Sequence, residues 1–196
     1  MLLLKFLKPV PTANAKRTNT VTNQEVRGGK FLPAFFIEPV VLGQEIAAGQ
    51  LPLHMTYFPP VKTSFQPALA NLLREYVNPM DPFIATVGED DFFGPNSDKP
   101  VRKMVQTQEL VAVHRKILSV LQYLPHSTQY RTPYNPHISI AHDDTRIETG
   151  DSIEIGGFSI VEKPEYAEAW RVIAKIGLRG ADMVTDARII KKSEKK

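Results

Sequence analysis

Two short segments of the chain carry the same pair of polar residue types at the same spacing. His54 and Thr56 stand in Leu-His-Met-Thr-Tyr, and His137 and Ser139 stand in Pro-His-Ile-Ser-Ile. A neutral imidazole takes a proton from an attacking hydroxyl or water, and an imidazolium gives one to a departing oxygen. Serine and threonine hydroxyls donate hydrogen bonds to non-bridging phosphate oxygens. This combination suits phosphoryl transfer without a metal ion, with one phosphate held between two imidazoles.

The residues around each pair alternate between polar and apolar, which is typical of a β-strand covered on one face. Alternate side chains of a strand share a face, so His54 and Thr56 point one way and Met55 points the other. Likewise, His137 and Ser139 share one face of their strand, and the isoleucine between them points to the other face. We therefore predict that both motifs lie on a polar sheet face and that helices cover the opposite face.

This arrangement resembles that of the two-histidine (2H) phosphoesterases, which include bacterial 2′-5′ RNA ligase-like proteins and RNA 2′,3′-cyclic phosphodiesterases. The resemblance covers residues 30–180. It rests on the two motifs, on a predicted strand at 31–38 before the first motif, on the phrase Pro-His-Ile-Ser-Ile-Ala at 136–141, and on the ending at 153–178.

The resemblance implies a bilobal α+β fold with a pseudo-two-fold axis and an active-site groove where the motif strands meet. It also implies metal-independent hydrolysis, or reversible ligation, of 2′,3′-cyclic phosphate or 2′-5′ phosphodiester bonds. In that scheme His54 and His137 are catalytic, and Thr56 and Ser139 bind phosphate. The substrate is an RNA end or a small cyclic nucleotide, and neither a cofactor nor a metal is needed.

The pattern of apolar residues and the loosely repeated order of strands and helices predict an α+β body of two related lobes. This agrees with the fold that the resemblance implies, namely two pseudo-symmetric lobes with antiparallel sheets flanked by helices and a groove between the lobes. A short irregular link at 43–49 and an acidic, turn-rich loop at 89–99 separate predicted elements. Thr63 or Ser64 is the expected cap of the first helix. The predicted strands span 31–38, 51–58, 82–87, 101–106, 137–141, 152–161 and 168–178, and the predicted helices span 63–78 and 107–124.

Composition limits the class of protein. The chain has 196 residues, of which 42% are hydrophobic, enough for one sizeable core. Cysteine is absent, which excludes a disulfide scaffold, a thiolate nucleophile and a Cys-ligated metal site. We predict an N-terminal arm at 1–30, one bilobal domain at 31–180 and a basic C-terminal tail at 181–196.

The basic charge is concentrated at the two ends. Residues 1–30 carry a net charge of +5 and residues 191–196 carry +3, which leaves −5 for the span between them. The body must therefore bind an anionic substrate through a few placed groups rather than through a broad positive field. The first apolar run is interrupted by Lys5 and Lys8, and no stretch approaches the roughly 18 apolar residues of a membrane span. We expect a cytoplasmic monomer that does not associate with membranes.

Other side chains near the motifs are candidates for substrate binding. Arg102 and Lys103 are adjacent on a predicted strand, so one of them is expected to face the groove and the other to face solvent. We include Arg102 among the residues expected to bind substrate. Arg131 and Tyr134 precede the second motif and are expected to bind phosphate or stack on a base. Two further aromatic side chains on the acidic loop, Phe92 and Phe93, have the same potential, whereas His114, His142 and Trp170 are expected to be structural.

Three alternatives remain open. In the first, the two motif histidines are metal ligands and Asp143 or Asp144 supplies a carboxylate ligand, although no His-x-His or Glu-x-x-His spacing is present. They are also compatible with ordinary core histidines. The third alternative is a non-catalytic protein that uses the same four side chains to bind a nucleotide or an RNA end. Intact imidazoles favour the enzyme, because a pure phosphate binder needs cations more than titratable groups.

Overall fold

The computed structural model describes residues 29–63, 66–122, 133–140, 144–179, 181 and 185–191. Within these ranges it has two helices and eleven strands, and every strand pairing is antiparallel. The α+β class is therefore confirmed. The helices are α1 (Gln66–Val77) and α2 (Gln108–Leu121), and the strands are β1 (Lys30–Phe36), β2 (Glu45–Ala47), β3 (His54–Thr56), β4 (Val61–Lys62), β5 (Phe83–Phe93), β6 (Lys99–Met104), β7 (His137–Ser139), β8 (Ser152–Ile155), β9 (Gly157–Lys163), β10 (Ala169–Gly177) and β11 (Ala187–Ile190).

The two strands that carry the motifs, β3 and β7, are neighbours in the middle of the sheet. The strand order is β11-β8-β5-β6-β7-β3-β1-β9-β10-β2, and the short β4 pairs with β1 off this path. Among the residues described, the boundary between β7 and β3 divides this order into two halves of five strands, one ending at β7 and the other beginning at β3. The division of this body into two lobes stays a prediction.

Both helices lie over one face of the sheet. Helix α2 begins at its cap Thr107, whose hydroxyl accepts a hydrogen bond from the Leu110 amide, and its apolar stripe is buried. The same core cluster contains Met55 of β3 and Ile138 of β7, both fully buried. The motif side chains, which alternate with these two residues, therefore belong to the opposite face. Neither helix in the described ranges is long and apolar enough to span a membrane.

Strand β1 is buried on both faces. Phe31 and Phe35 join the helix-covered core, whereas Leu32, Ala34 and Phe36 belong to a second, smaller apolar cluster with residues of β9 and β10. A strand that is covered on both sides reads as a continuous apolar run, as Phe-Leu-Pro-Ala-Phe-Phe does. The second cluster places Phe36 on the motif face, directly beside β3.

The acidic segment predicted as a loop at 89–99 is mostly strand. Strand β5 continues to Phe93 after a register shift between Val87 and Asp90, and the turn to β6 occupies 94–98. Cross-strand ion pairs stabilise this extension: Asp90 binds Arg102 at 3.0 Å and Asp91 binds Lys103 at 2.7 Å. Asp90 and Asp91 are thus strand residues with basic partners on the neighbouring strand, and the sequence of one strand does not reveal such partners.

The last part of the chain departs from the prediction in two ways. The strand predicted at 152–161 is split at Gly156 into β8 and β9, which pair on opposite sides of the motif strands. The tail predicted at 181–196 is wrong in part, because β11 lies within it and pairs with β8, with Ala187 buried. The link predicted at 43–49 also contains a strand, β2, on the sheet edge. Lys30 begins β1, and residues 1–28 and 192–196 lie outside the described residues.

Candidate active site

The pairing of β3 with β7 brings the four motif side chains together. Met55 lies opposite Ile138 in this antiparallel pair, so the flanking positions place His54 opposite Ser139 and Thr56 opposite His137. Side chains directly opposite each other have Cβ atoms about 4.5–5.5 Å apart, and diagonal neighbours are about 7–8 Å apart. The two imidazoles therefore occupy one diagonal of a square on the sheet face opposite the helices, and the two hydroxyls occupy the other diagonal.

Each imidazole is held in the same way by its own backbone. Nδ1 of His54 lies 2.7 Å from the carbonyl oxygen of Pro52, and Nδ1 of His137 lies 2.8 Å from the carbonyl oxygen of Asn135. A carbonyl oxygen only accepts, so Nδ1 is the donor in both rings. This leaves Nε2 of each ring for a substrate, as a proton acceptor when the ring is neutral and as a donor when it is protonated.

The two imidazoles have different surroundings. The His54 ring lies 5.3 Å from the ring of Phe36, and burial lowers the pKa of His54 below its ordinary value of 6.5. The hydrogen bond to Pro52 opposes this shift, and the charge of His137 lowers the pKa further. His54 is therefore neutral at pH 7. The ring of His137 contacts the edge-on ring of Phe93 at 4.5 Å.

A titration of His54 by NMR checks this difference. We expect the midpoint of the His54 ring resonance below pH 6.5, since burial and the charge of His137 both disfavour its protonated form. The variant His137→Gln removes that charge and should raise the midpoint. Lys116→Gln removes a charge on α2, on the other face, and should leave the midpoint in place. A midpoint above 6.5 in the unmodified protein would show that burial does not control this group.

Lys103, not Arg102, lies on the motif face of β6. In the ladder between β6 and β7, Lys103 pairs with His137 and Arg102 pairs with Ile138. Arg102 therefore points to the helix-covered side, where its side chain is 13% exposed and its Nε donates to Asp90. The prediction that Arg102 binds substrate is not supported by this placement. On this strand the buried residues are 101 and 104, three positions apart, whereas a simple strand alternation has a period of two. The sequence pattern therefore does not show which face of the sheet each of the two basic side chains is on.

Tyr134 packs on the helix side as well. Its ring stacks on His114 of α2 at 3.9 Å, and His114 in turn stacks on Phe58 and places Nδ1 2.9 Å from the carbonyl oxygen of Tyr57. Burial raises the pKa of the Tyr134 hydroxyl far above its ordinary value. Tyr134 thus packs against α2 and is not brought to the motif face, and substrate contact by Tyr134 stays a prediction. His114 is structural, as we expected.

The remaining predicted site residues fall outside these contacts. Arg131, His142 and Asp143 lie outside the described residues. Asp144, the other carboxylate considered for a metal site, binds Arg146 at 2.7 Å, and this bond lowers the pKa of Asp144. Among the residues that the structure describes, no three His, Asp or Glu side chains are grouped as metal ligands would be.

The sequence matches the family model described as the 2′-5′ RNA ligase superfamily over residues 36–156, which is more than half of the chain. The chain belongs to the 2′-5′ RNA ligase superfamily. The matched segment begins at Phe36 and contains both motifs, so the family resemblance inferred from the motifs is confirmed.

Solved structures show the same superfamily fold. Escherichia coli LigT in complex with 3′-AMP is similar with a TM-score of 0.53 and 15% identity, over 78% of this chain and 99% of that one. The protein TT0787 of Thermus thermophilus gives 0.55 and 17%, over 77% and 98%. A structure described as a phosphoesterase gives 0.54 and 14%, over 78% and 99%. Among curated proteins, none matches the sequence significantly. At these identities the structural similarity establishes the fold of this superfamily member and does not identify its substrate.

Proposed function

We propose that this superfamily member is a metal-independent phosphoesterase that cleaves a 2′,3′-cyclic phosphate, or a related 2′-5′ phosphodiester, at an RNA end or in a small nucleotide. The observation that supports this most is the diagonal arrangement of the two imidazoles. In each ring Nδ1 donates a hydrogen bond to a backbone carbonyl oxygen two residues earlier, which leaves Nε2 to contact a substrate. The structures named as LigT with 3′-AMP and LigT with phosphate lend support, because they show such ligands in a protein of this fold.

The two imidazoles take different roles in the proposed reaction. Neutral His54 accepts a proton from water at Nε2 as the water oxygen attacks phosphorus. His137 donates a proton from Nε2 to the ribose oxygen, whose bond to phosphorus breaks, so that a cyclic phosphate becomes a nucleoside monophosphate. In ligation a ribose 5′-hydroxyl takes the place of water: His54 accepts its proton as its oxygen attacks the cyclic phosphate, and His137 again protonates the ribose oxygen whose bond to phosphorus breaks. Imidazoles on a diagonal of about 7–8 Å leave room for one phosphate between them.

The two hydroxyls bind the charge that the reaction concentrates on phosphate. Thr56 lies opposite His137 and Ser139 lies opposite His54, so each hydroxyl is beside the path between the rings. Hydrogen bonds to an ionised phosphate oxygen strengthen as charge develops there. This arrangement fixes the phosphorus atom between the acid and the base.

The function is tested by incubating the protein with adenosine 2′,3′-cyclic phosphate in EDTA and separating the products. We expect a single nucleoside monophosphate and no loss of rate with chelator. Tight binding of the nucleotide without product would favour the non-catalytic alternative. Turnover that disappears in EDTA and returns with zinc would favour the metal site instead.

Removal of a hydroxyl should slow the reaction less than removal of an imidazole. Thr56→Val and Ser139→Ala each delete one hydrogen bond to a charged group, which contributes about 1.5–3 kcal/mol. We therefore expect kcat/KM to fall by about 10- to 150-fold. Thr56→Ser is the matched control, since it keeps the hydroxyl and should retain most activity. Equal losses for Thr56→Ser and Thr56→Val would show that the methyl group, rather than the hydroxyl, is important.

A further inference from the structure

We infer that Lys103 binds a second phosphate group of the substrate, so that the site selects a cyclic phosphate on a nucleotide that also carries a 5′-phosphate or a preceding phosphodiester. This inference rests on the proposed function and specifies its substrate class. The substrate that we propose extends from the reacting phosphate across β7 towards β6.

The position of Lys103 supports this role. Lys103 is the cross-strand partner of His137 and shares its face of the sheet. Directly opposite side chains have Cβ atoms about 4.5–5.5 Å apart, and a lysine side chain extends well beyond its Cβ. The ammonium group therefore lies within reach of a phosphate one nucleotide unit away from the reacting one.

The two sides of the motif pair differ in charge. On the β1 side, His54 is paired with Phe36, which is fully buried in the second apolar cluster. On the β6 side, Lys103 shares the motif face with Lys99, the partner of Phe93 at the end of the hairpin. The basic side chains next to the motif pair are thus on the β6 side, where Asp91 also lies, whereas the neighbour of His54 on β1 is apolar.

The present partner of Lys103 is easily displaced. Its Nζ lies 2.7 Å from Oδ2 of Asp91, and the two side chains are 44% and 37% exposed. An exposed ion pair of this kind stabilises little. A 5′-phosphate carries up to two negative charges and three acceptor oxygens, and a phosphodiester carries one charge shared by two oxygens, so either group competes with the Asp91 carboxylate for the ammonium group.

The test compares ligands that differ only in a 5′-phosphate. Binding of adenosine 2′-monophosphate and adenosine 2′,5′-bisphosphate is measured by titration calorimetry in EDTA, beside turnover of the 2′,3′-cyclic forms with and without the 5′-phosphate. We expect the unmodified protein to favour the 5′-phosphorylated ligand by about tenfold, which is the scale of one good ionic contact. Lys103→Gln should abolish this preference, and Asp91→Asn should preserve or increase it.

Lys62→Gln is the matched control. Lys62 on β4 also forms an exposed ion pair, with Glu165 at 3.2 Å and side-chain exposures of 38% and 37%. However, β4 pairs with the first residues of β1, whereas the motif strand β3 pairs with the last ones. Lys62→Gln should leave the preference unchanged. If Lys103→Gln weakened both ligands equally, Lys103 would contact the reacting phosphate and the inference would be wrong.

The outcomes separate this inference from the proposed function. Turnover with a preference that does not depend on Lys103 would overturn the inference and leave the function intact. A Lys103-dependent preference in binding, without any turnover, would uphold the second phosphate site and overturn the function. No preference in the unmodified protein would also overturn the inference.

Discussion

Replacement of either motif histidine is expected to lower kcat/KM for a 2′,3′-cyclic nucleotide by about 10²–10⁴, the usual contribution of a positioned acid or base. His54→Ala removes the group that accepts the proton of water, and His137→Ala removes the group that protonates the departing ribose oxygen. Because the two act on one transition state, the double variant should be little slower than the slower single variant. Steady-state rates in EDTA provide the measurement.

The pH profiles of these variants distinguish the two roles. The unmodified protein should give a bell-shaped profile whose acid limb lies below pH 6.5, since burial lowers the pKa of His54. The acid limb should disappear in His54→Ala and persist in His137→Ala. A loss of the acid limb in His137→Ala instead would exchange the two assignments. His114→Asn is a control for histidine replacement, because His114 packs on the opposite face and its loss should not alter the shape of the profile.

Asp186→Ala is expected to lower the free energy of unfolding by about 3–5 kcal/mol, as the loss of one member of a buried ion pair does. The Asp186 side chain is fully buried, and its Oδ2 accepts a hydrogen bond from the amide of Phe36 at 3.3 Å. Its Oδ1 lies 3.6 Å from Nζ of Lys175, whose side chain is only 14% exposed. The substitution therefore leaves a largely buried ammonium group and a backbone amide without this carboxylate.

Denaturant unfolding measures this effect, and Asp81→Ala is its control. Asp81 pairs with Arg179 at 3.4 Å, but both side chains are mostly exposed, so its loss should have little effect. Burial raises the pKa of Asp186, although Ser159, the charge of Lys175 and the amide of Phe36 oppose the shift, so the folded state releases this proton at a higher pH than the unfolded chain does. The stabilisation that follows from this difference is complete below pH 3.8 and is lost as pH rises through the higher folded pKa. Asp186→Asn should remove this pH dependence. A cost for Asp186→Ala no larger than for Asp81→Ala would contradict the buried pair.

The motif strands and α2 were predictable because their signals are local. His54 and His137 each stand in a strict alternation, and the stripe of α2 repeats at helical spacing behind a threonine cap. The neighbourhood of β3 and β7 was predicted only through the resemblance, since the pairing of residues 83 positions apart leaves no local trace. Register decides which residues face the site, and register is a long-range property.

Where the prediction failed, the deciding contact was made by a distant strand. Arg102 and Lys103 are neighbours of the same charge, and only the ladder with β7 shows which of them accompanies His137. Strand β11 is four residues long and continues into a lysine-rich end, so its composition resembles a tail. Its pairing with β8, aided by the ion pair of Arg188 with Glu154 at 2.9 Å, makes it part of the sheet.

A crystal structure with adenosine 2′-monophosphate tests the central claim most directly, since that claim is a phosphate held between two imidazoles. We predict that Nε2 of His54 and Nε2 of His137 lie on opposite sides of the phosphate, each within about 3 Å of one of its oxygens. The hydroxyls of Thr56 and Ser139 should donate to the remaining oxygens. A phosphate bound elsewhere on the sheet, or one that contacts neither imidazole, would contradict the account.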